Sequence, residues 1–309
     1  MASKNNTAGS SAADARERAR QIADRQSRRS SGRPLGLILG IVALVLAIAL
    51  IIGLVVWQNS KAKIPESGPV PASANQYGGI TLNKERIAQN TSDVKERDLS
   101  TLPPAPEEPD TSKTPLGVVD KDKAATNGKP VQLVILQDFE CVHCADFEKE
   151  NADAIKKAVD AGKVEVEYRN LNFLDKATPD QYSSRSANAA YLVAEQVSPD
   201  QYMEFSQEMF THQGSGGLSN QEIADIANKH GASITADDLD ENTYRPMVNV
   251  ATRESVTNGV AGTPSIFVDG ARYEKGKFSD TLQKAIDAKD AKAKASTVKD
   301  SKAKDEKKK

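Results

Sequence analysis

Cys141-Val142-His143-Cys144 holds the two cysteines of this 309-residue chain, so within the chain each thiol has one possible disulfide partner. An apolar segment, Val131 to Leu136, runs up to the motif and reads as a buried strand. Beyond it, from Ala145 to Val159, Phe147, Asn151, Ile155 and Ala158/Val159 recur at helical intervals, with Lys156 and Lys157 on the other face. A strand that hands C-x-x-C to the start of a helix is the context in which the motif is redox-active.

The chemistry follows from that placement. The first turn of a helix has N–H groups without an intrahelical partner and the positive end of the macrodipole, so a cysteine there is favoured as thiolate. Cys141 is therefore the expected nucleophile, and Cys144 the thiol that resolves a mixed disulfide. Such motifs bring a thiol pKa of about 8.5 into a range of roughly 3.5–7.5. Each unit is about 1.4 kcal/mol in favour of the reduced, ionised form, which makes the disulfide a stronger oxidant. His143 offers a further donor in the same turn. The competing assignments are a structural disulfide and half of a zinc site. The zinc site needs two more ligands from His143, His212 and His230, which lack the usual paired spacing. No metal or cofactor is expected, because the redox group lies within the chain.

A mean hydropathy of -0.53 and 27 % charged residues leave much of the chain outside any core. The net charge is -2, and the cations are not gathered on one folded face, which argues against a nucleic-acid partner. Residues 1–34 read as a basic cytoplasmic tail, disordered or at best a loose helix, that includes Arg16, Arg18, Arg20, Arg25, Arg28, Arg29 and Arg33. Leu35 to Trp57 is then an apolar run of 23 residues without a charge. As a helix it spans roughly 34 Å, against about 30 Å of hydrocarbon. Arginines on its N-terminal side place the N-terminus in the cytoplasm and all that follows outside. A cleaved signal peptide is the alternative, with a small-residue site at Ser60-Lys61-Ala62, but the apolar run is longer than such peptides use. Either way the cysteines reach an oxidising compartment, where a dithiol couple serves to make disulfides.

Residues 58–115 read as an extracytoplasmic linker, with Pro65, Pro69 and Pro71 and a polyproline-like stretch from Leu102 to Pro109. Tyr77 to Leu82 and Leu116 to Val119 are candidate early strands. The folded domain is expected over 116–288. Val164 to Leu171 alternates and is expected to be a strand with one polar face. Four helix starts follow, at Thr178-Pro179-Asp180-Gln181, Ser198-Pro199-Asp200-Gln201, Ser219-Asn220-Gln221-Glu222 and Thr235-Ala236-Asp237-Asp238. With a helical run at Val248 to Val256 they make a helical insertion over about 176–257. Asp269-Gly270 between apolar runs signals a tight hairpin, and Pro264 before a strand is a candidate cis proline. Ser279 is the expected cap of a closing helix through Leu282 and Ile286. Residues 289–309 read as a Lys-rich tail, disordered or a frayed extension of that helix.

Asp138 to Cys144, a helical insertion, and Gly259 to Gly270 with Thr263-Pro264 together resemble the DsbA-like branch of the thioredoxin superfamily. The resemblance covers roughly residues 128–288. The layout is similar to the membrane-anchored thiol-disulfide oxidoreductases of actinobacteria. It implies an α/β fold with a thioredoxin-like core and helical insertion, preceded by a single transmembrane helix. It further implies that Cys141 is exposed and Cys144 buried, and that His143 tunes the pair. Thr263-Pro264 forms the facing cis-proline loop, whose Thr263 backbone pairs with an extended substrate peptide. Val142 completes the substrate-facing set.

Two positions depart from the family pattern. Val142 stands where proline is common. Ile135, six residues before Cys141, stands where an acid often relays protons, with Asp138 and Glu140 as candidate substitutes. The implied function is oxidation of cysteine pairs in unfolded exported proteins at the cell membrane, with reoxidation by a membrane partner. The alternatives are a reductase or isomerase of the same fold and a non-catalytic, membrane-tethered peptide-binding chaperone.

Overall fold

The computed structural model describes residues 9–30, 64–176, 180–213 and 217–306. The expected membrane span at 35–57 lies outside the described residues. Among the described residues no helix is long and apolar enough to cross a membrane. The chain divides into two units, Met1–Lys63 and Ile64–Lys309.

In the first unit, Gly9–Ser30 forms helix α1, the helical of the two readings that composition left open. Ala, Arg and Gln are strong helix formers, and side chains 15–25 are exposed. Low hydrophobicity removes a packing face without removing helical propensity.

The second unit begins at Ile64, well before the expected boundary at 116, so the supposed linker is part of the fold. Short strands β1 (Ser67–Pro69) and β3 (Glu96–Asp98) pair antiparallel. Pro69 closes β1, a sheet-edge position where its missing N–H is tolerated. Strand β2 (Ile80–Leu82) joins the central five-stranded sheet as an edge. Its Ile80 and Leu82 are fully buried opposite Tyr168 and Val166. Of the prolines that suggested a stalk, Pro71 accepts the Ala74 N–H in the turn after β1. Leu116 to Val119 is a loop, not a strand: Gly117 takes φ 81°, and the Gln132 side chain bonds the backbone of both Val119 and Gly117.

The sheet order is β2-β5-β4-β6-β7, with β4 at Val131–Gln137, β5 at Val164–Asn170, β6 at Ser265–Val268 and β7 at Ala271–Arg272. Strand β4 is central, parallel to β5 and antiparallel to β6, and its near-continuous apolar run fits burial on both faces. Strand β5 corrects its sequence reading: Glu167 and Arg169 on the expected polar face are buried and paired with each other. The turn at Asp269-Gly270, both at positive φ, joins β6 to β7 as expected.

After a short α2 (Lys121–Ala124), helix α3 spans Val142–Asp160. The insertion between β5 and β6 holds α4 (Tyr182–Ala194), α5 (Pro199–Thr211), α6 (Asn220–Lys229), α7 (Ala236–Asp240) and α8 (Arg245–Thr257). Ser198, Ser219 and Thr235 each form the expected capping box. Helix α4 instead starts after Gln181 in the left-handed region, and Thr178 and Pro179 lie outside the described residues. Helix α9 runs Phe278–Glu306, with Leu282 and Ile286 buried. Ser279 sits inside its first turn, not at its cap. The Lys-rich segment extends this helix, one of its two expected forms, its Ala and Lys content being helix-favouring.

Candidate active site

The sheet brings the two halves of the site together. Strand β4 ends at Gln137, four residues before Cys141, and its last paired residues face the start of β6, with Leu136 opposite Ser265. Antiparallel pairing thus sets the segment just before β6, Thr263-Pro264, beside the segment just after β4. The Thr263-Pro264 peptide is cis, as expected. The Cys141 sulfur lies 3.2 Å from the Thr263 carbonyl oxygen.

Cys141 is the N-cap of α3, with Cys144 in the first turn. Both thiols are free and both are largely covered, Cys141 at 6 % exposure and Cys144 at 2 %. The expected contrast between an exposed and a buried cysteine is therefore small in area, because the Thr263 loop roofs Cys141. The electrostatic contrast is large. Cys141 is lowered to about 5, first by the Cys144 thiol donating to its sulfur, then by the Thr263 hydroxyl and the Cys144 and His143 backbone N–H groups, against the opposing effect of burial. Burial and its role as that donor push Cys144 far above the ordinary thiol value. The pair shares one proton unequally: Cys141 holds the charge and Cys144 the hydrogen. A protonated Cys141 donates to the Thr263 carbonyl, whereas a thiolate has no hydrogen to give, so ionisation frees that carbonyl for another donor.

His143 is exposed, and the donor it gives Cys141 is its backbone N–H. Val142 is 59 % exposed at the mouth of the site. His212 and His230 sit at the C-caps of α5 and α6, and His230 meets Glu208 at 2.6 Å.

Three residues around the thiols went unseen or misassigned in the sequence. Asp138 is fully buried, accepting N–H groups from Glu140 and Leu174 at 2.9 and 3.0 Å, and burial raises its carboxyl to about 6. Glu148 lies one helical turn beyond Cys144 and is buried with both carboxylate oxygens unpartnered, raised by burial to about 7. The buried stripe of α3 runs through Cys144, Glu148, Asn151, Ala152, Ile155 and Val159. The spacing of Glu148 from Cys144 and Ala152 was its legible signal. Gln213, just after α5, donates its amide to the Phe139 and Cys141 carbonyls, each at 2.8 Å. Phe210 of α5 packs its ring 5.0 Å from Phe139. The insertion therefore clamps the loop that carries the nucleophile.

The family model described as thioredoxin matches residues 126–288, more than half of the chain and the whole of this site. The chain belongs to the thioredoxin family. A helical insertion separates β5 from β6 in this thioredoxin-family core. Two thiols side by side, one lowered and the other raised, are an arrangement that can carry out thiol-disulfide exchange.

The chain is similar to the serine/threonine-protein kinase PknE of Mycobacterium tuberculosis, 28 % identical over 154 residues, which are 46 % of this chain and 27 % of that protein. It thus spans about a quarter of the length of the curated relatives it matches. Among solved structures it is similar to the reduced disulfide bond oxidoreductase DsbG of M. tuberculosis, at 25 % identity and TM-score 0.46, covering 51 % of this chain and 77 % of that one. It is also similar to reduced DsbA of M. tuberculosis, at 21 % identity and TM-score 0.48, covering 70 % and 99 %.

Proposed function

We propose that this protein is a membrane-anchored, extracytoplasmic oxidase of cysteine pairs in newly exported proteins. The observation that carries the direction of exchange is the opposed state of the two sulfurs, Cys141 lowered to about 5 and Cys144 raised. A stabilised Cys141 thiolate favours the reduced enzyme, and so favours passing the disulfide to a substrate.

In the oxidised enzyme a substrate thiolate attacks Cys141 Sγ and the Cys141–Cys144 bond breaks. Cys144 leaves and takes up a proton. A second substrate thiolate then attacks the substrate sulfur of the mixed disulfide, and Cys141 departs as thiolate, a good leaving group because of its low pKa. The substrate gains one disulfide and the enzyme two electrons. We assign Glu148, one turn from Cys144 and titrating near neutrality, to exchange the Cys144 proton. It replaces the acid absent at Ile135, since Asp138 is already occupied by two N–H donors. The 23-residue apolar run 35–57, with arginines before it, supports an anchor with the N-terminus in the cytoplasm. A membrane partner that accepts two electrons then restores the disulfide.

Replacing Cys144 with serine in the full chain tests the mechanism. Mixed disulfides between Cys141 and exported proteins should accumulate, and their mass-spectrometric identification gives the substrates. Absence of adducts would sink the oxidoreductase mechanism in favour of a peptide-binding chaperone. A strongly reducing equilibrium with glutathione would instead favour the reductase or isomerase direction.

A further inference from the structure

Beside the cis-proline loop a cleft of about 600 Å³ runs from His143 and Pro264 down one face of α3. That face carries His143, Asp146, Phe147, Glu150 and Asn151 in helical register, and the opposite wall holds Tyr273, Glu274, Lys277 and Phe278. Asp146 and Glu150 are exposed and four residues apart, an unfavourable like-charge spacing on a helix. Neither makes an ion pair among the described residues. Glu274 differs, since Arg272 faces it. Asn151, 9 % exposed, lines the cleft; its amide donates to the Phe147 carbonyl while its own oxygen accepts from no described residue. Phe147 and Tyr273 meet Phe278 edge-on at 4.9 and 5.5 Å, giving the cleft an aromatic wall.

We propose that this cleft is a specificity subsite that takes a lysine or arginine side chain of the substrate polypeptide, close in sequence to its reacting cysteine. The proposal rests on the oxidoreductase reading of Cys141. The cleft is continuous with the loop on which a substrate strand would dock, so its occupant is more of that same strand. A long cationic side chain fits the rings and the α3 face: its methylene stem lies along the aromatic rings, its charged head meets Asp146 and Glu150, two carboxylates against the one ammonium of Lys277 on the facing wall, and its N–H groups find the Asn151 oxygen. The helix sets the distance. Asp146 and Glu150 lie five and nine residues beyond Cys141, roughly 7.5 and 13.5 Å along the axis. An extended peptide advances about 3.3 Å per residue, so the cation belongs about two to four residues from the cysteine.

The test uses the oxidised full chain in detergent micelles and two-cysteine peptides carrying Lys, Ser or Glu three residues from the first cysteine. Each initial rate of peptide oxidation is divided by that peptide's rate toward hydroxyethyl disulfide, a neutral probe that removes differences in thiol reactivity. Exposed pairs are individually weak, but two carboxylates and the change from attraction to repulsion bring the Lys peptide to about tenfold over the Glu peptide at low salt. That ratio corresponds to about 1.4 kcal/mol. It should shrink to within about threefold at high salt. Reversing both charges, with Asp146→Lys and Glu150→Lys on the exposed face, should invert the order. A Lys-to-Glu ratio within twofold at low salt, or an order unmoved by the reversal, overturns the subsite and leaves the oxidase standing. If none of the peptides is oxidised, both fall together.

Discussion

Acidification is the sharpest probe of the active site, because the Cys141 thiolate makes the redox equilibrium depend on pH in two regimes. With Cys141 at about 5 and Cys144 raised, the reduced protein above pH 5 holds one thiolate and one thiol. Reduction there consumes two electrons and one proton, and below pH 5 it consumes two protons. For a two-electron couple each tenfold change in equilibrium constant is about 30 mV. The potential should therefore fall by about 30 mV per pH unit above pH 5 and about 60 mV per unit below it.

The sign follows from linkage. A thiol held below its ordinary value of 9.0 stabilises the reduced form fully above that value, and the gain is lost as pH falls through about 5. At pH 7 two units are realised, about 2.7 kcal/mol. Solvent screening near the sulfur reduces this to roughly 1.5–2.5 kcal/mol, or about 30–55 mV toward oxidising. Equilibration with glutathione buffers from pH 4 to 8, scored by thiol alkylation and mass spectrometry, measures the slope directly. A slope that stays near 60 mV per unit through pH 7 would refute an ionised Cys141, and with it the oxidase direction.

Four further substitutions test the surrounding structure. Glu148→Gln removes a buried carboxyl whose pKa is raised from 4.5 to about 7, so wild type loses stability as pH climbs from 4.5 to 7; denaturant midpoints should show the variant gaining about 2–3 kcal/mol on wild type between pH 4.5 and 8. Glu167→Gln leaves the buried Arg169 guanidinium without its counter-charge and should cost about 3–5 kcal/mol in urea unfolding, with Gly79→Ala also destabilising because its methyl would meet the Glu167 carboxylate. Gln213→Ala frees the Phe139 and Cys141 carbonyls and should cost about 1–3 kcal/mol, with protection of the active-site loop amides falling in hydrogen exchange.

Local signals account for what was legible in advance. Val131 to Gln137, the start of α3, three of the four capping boxes and the Asp269-Gly270 turn are decided by residues within a few positions of one another, so periodicity and capping chemistry find them. The pairing of C-x-x-C with Thr263-Pro264 came from resemblance. The early strands were harder: β2 is three residues long and is held by β5, more than eighty positions away. Proline content made the same stretch look like a tether.

Two cysteines three apart name the reacting pair and the covalent chemistry open to it, with little other choice in the chain. The helix start pointed to Cys141 as the thiolate, but not to the groups that hold the proton on Cys144. The Cys144 thiol pointing at Cys141, the Thr263 hydroxyl brought in by β6 and the burial of Glu148 beneath the first turn are tertiary facts. A pKa depends on every dipole within a few ångströms, and folding chooses those neighbours from segments more than a hundred residues apart.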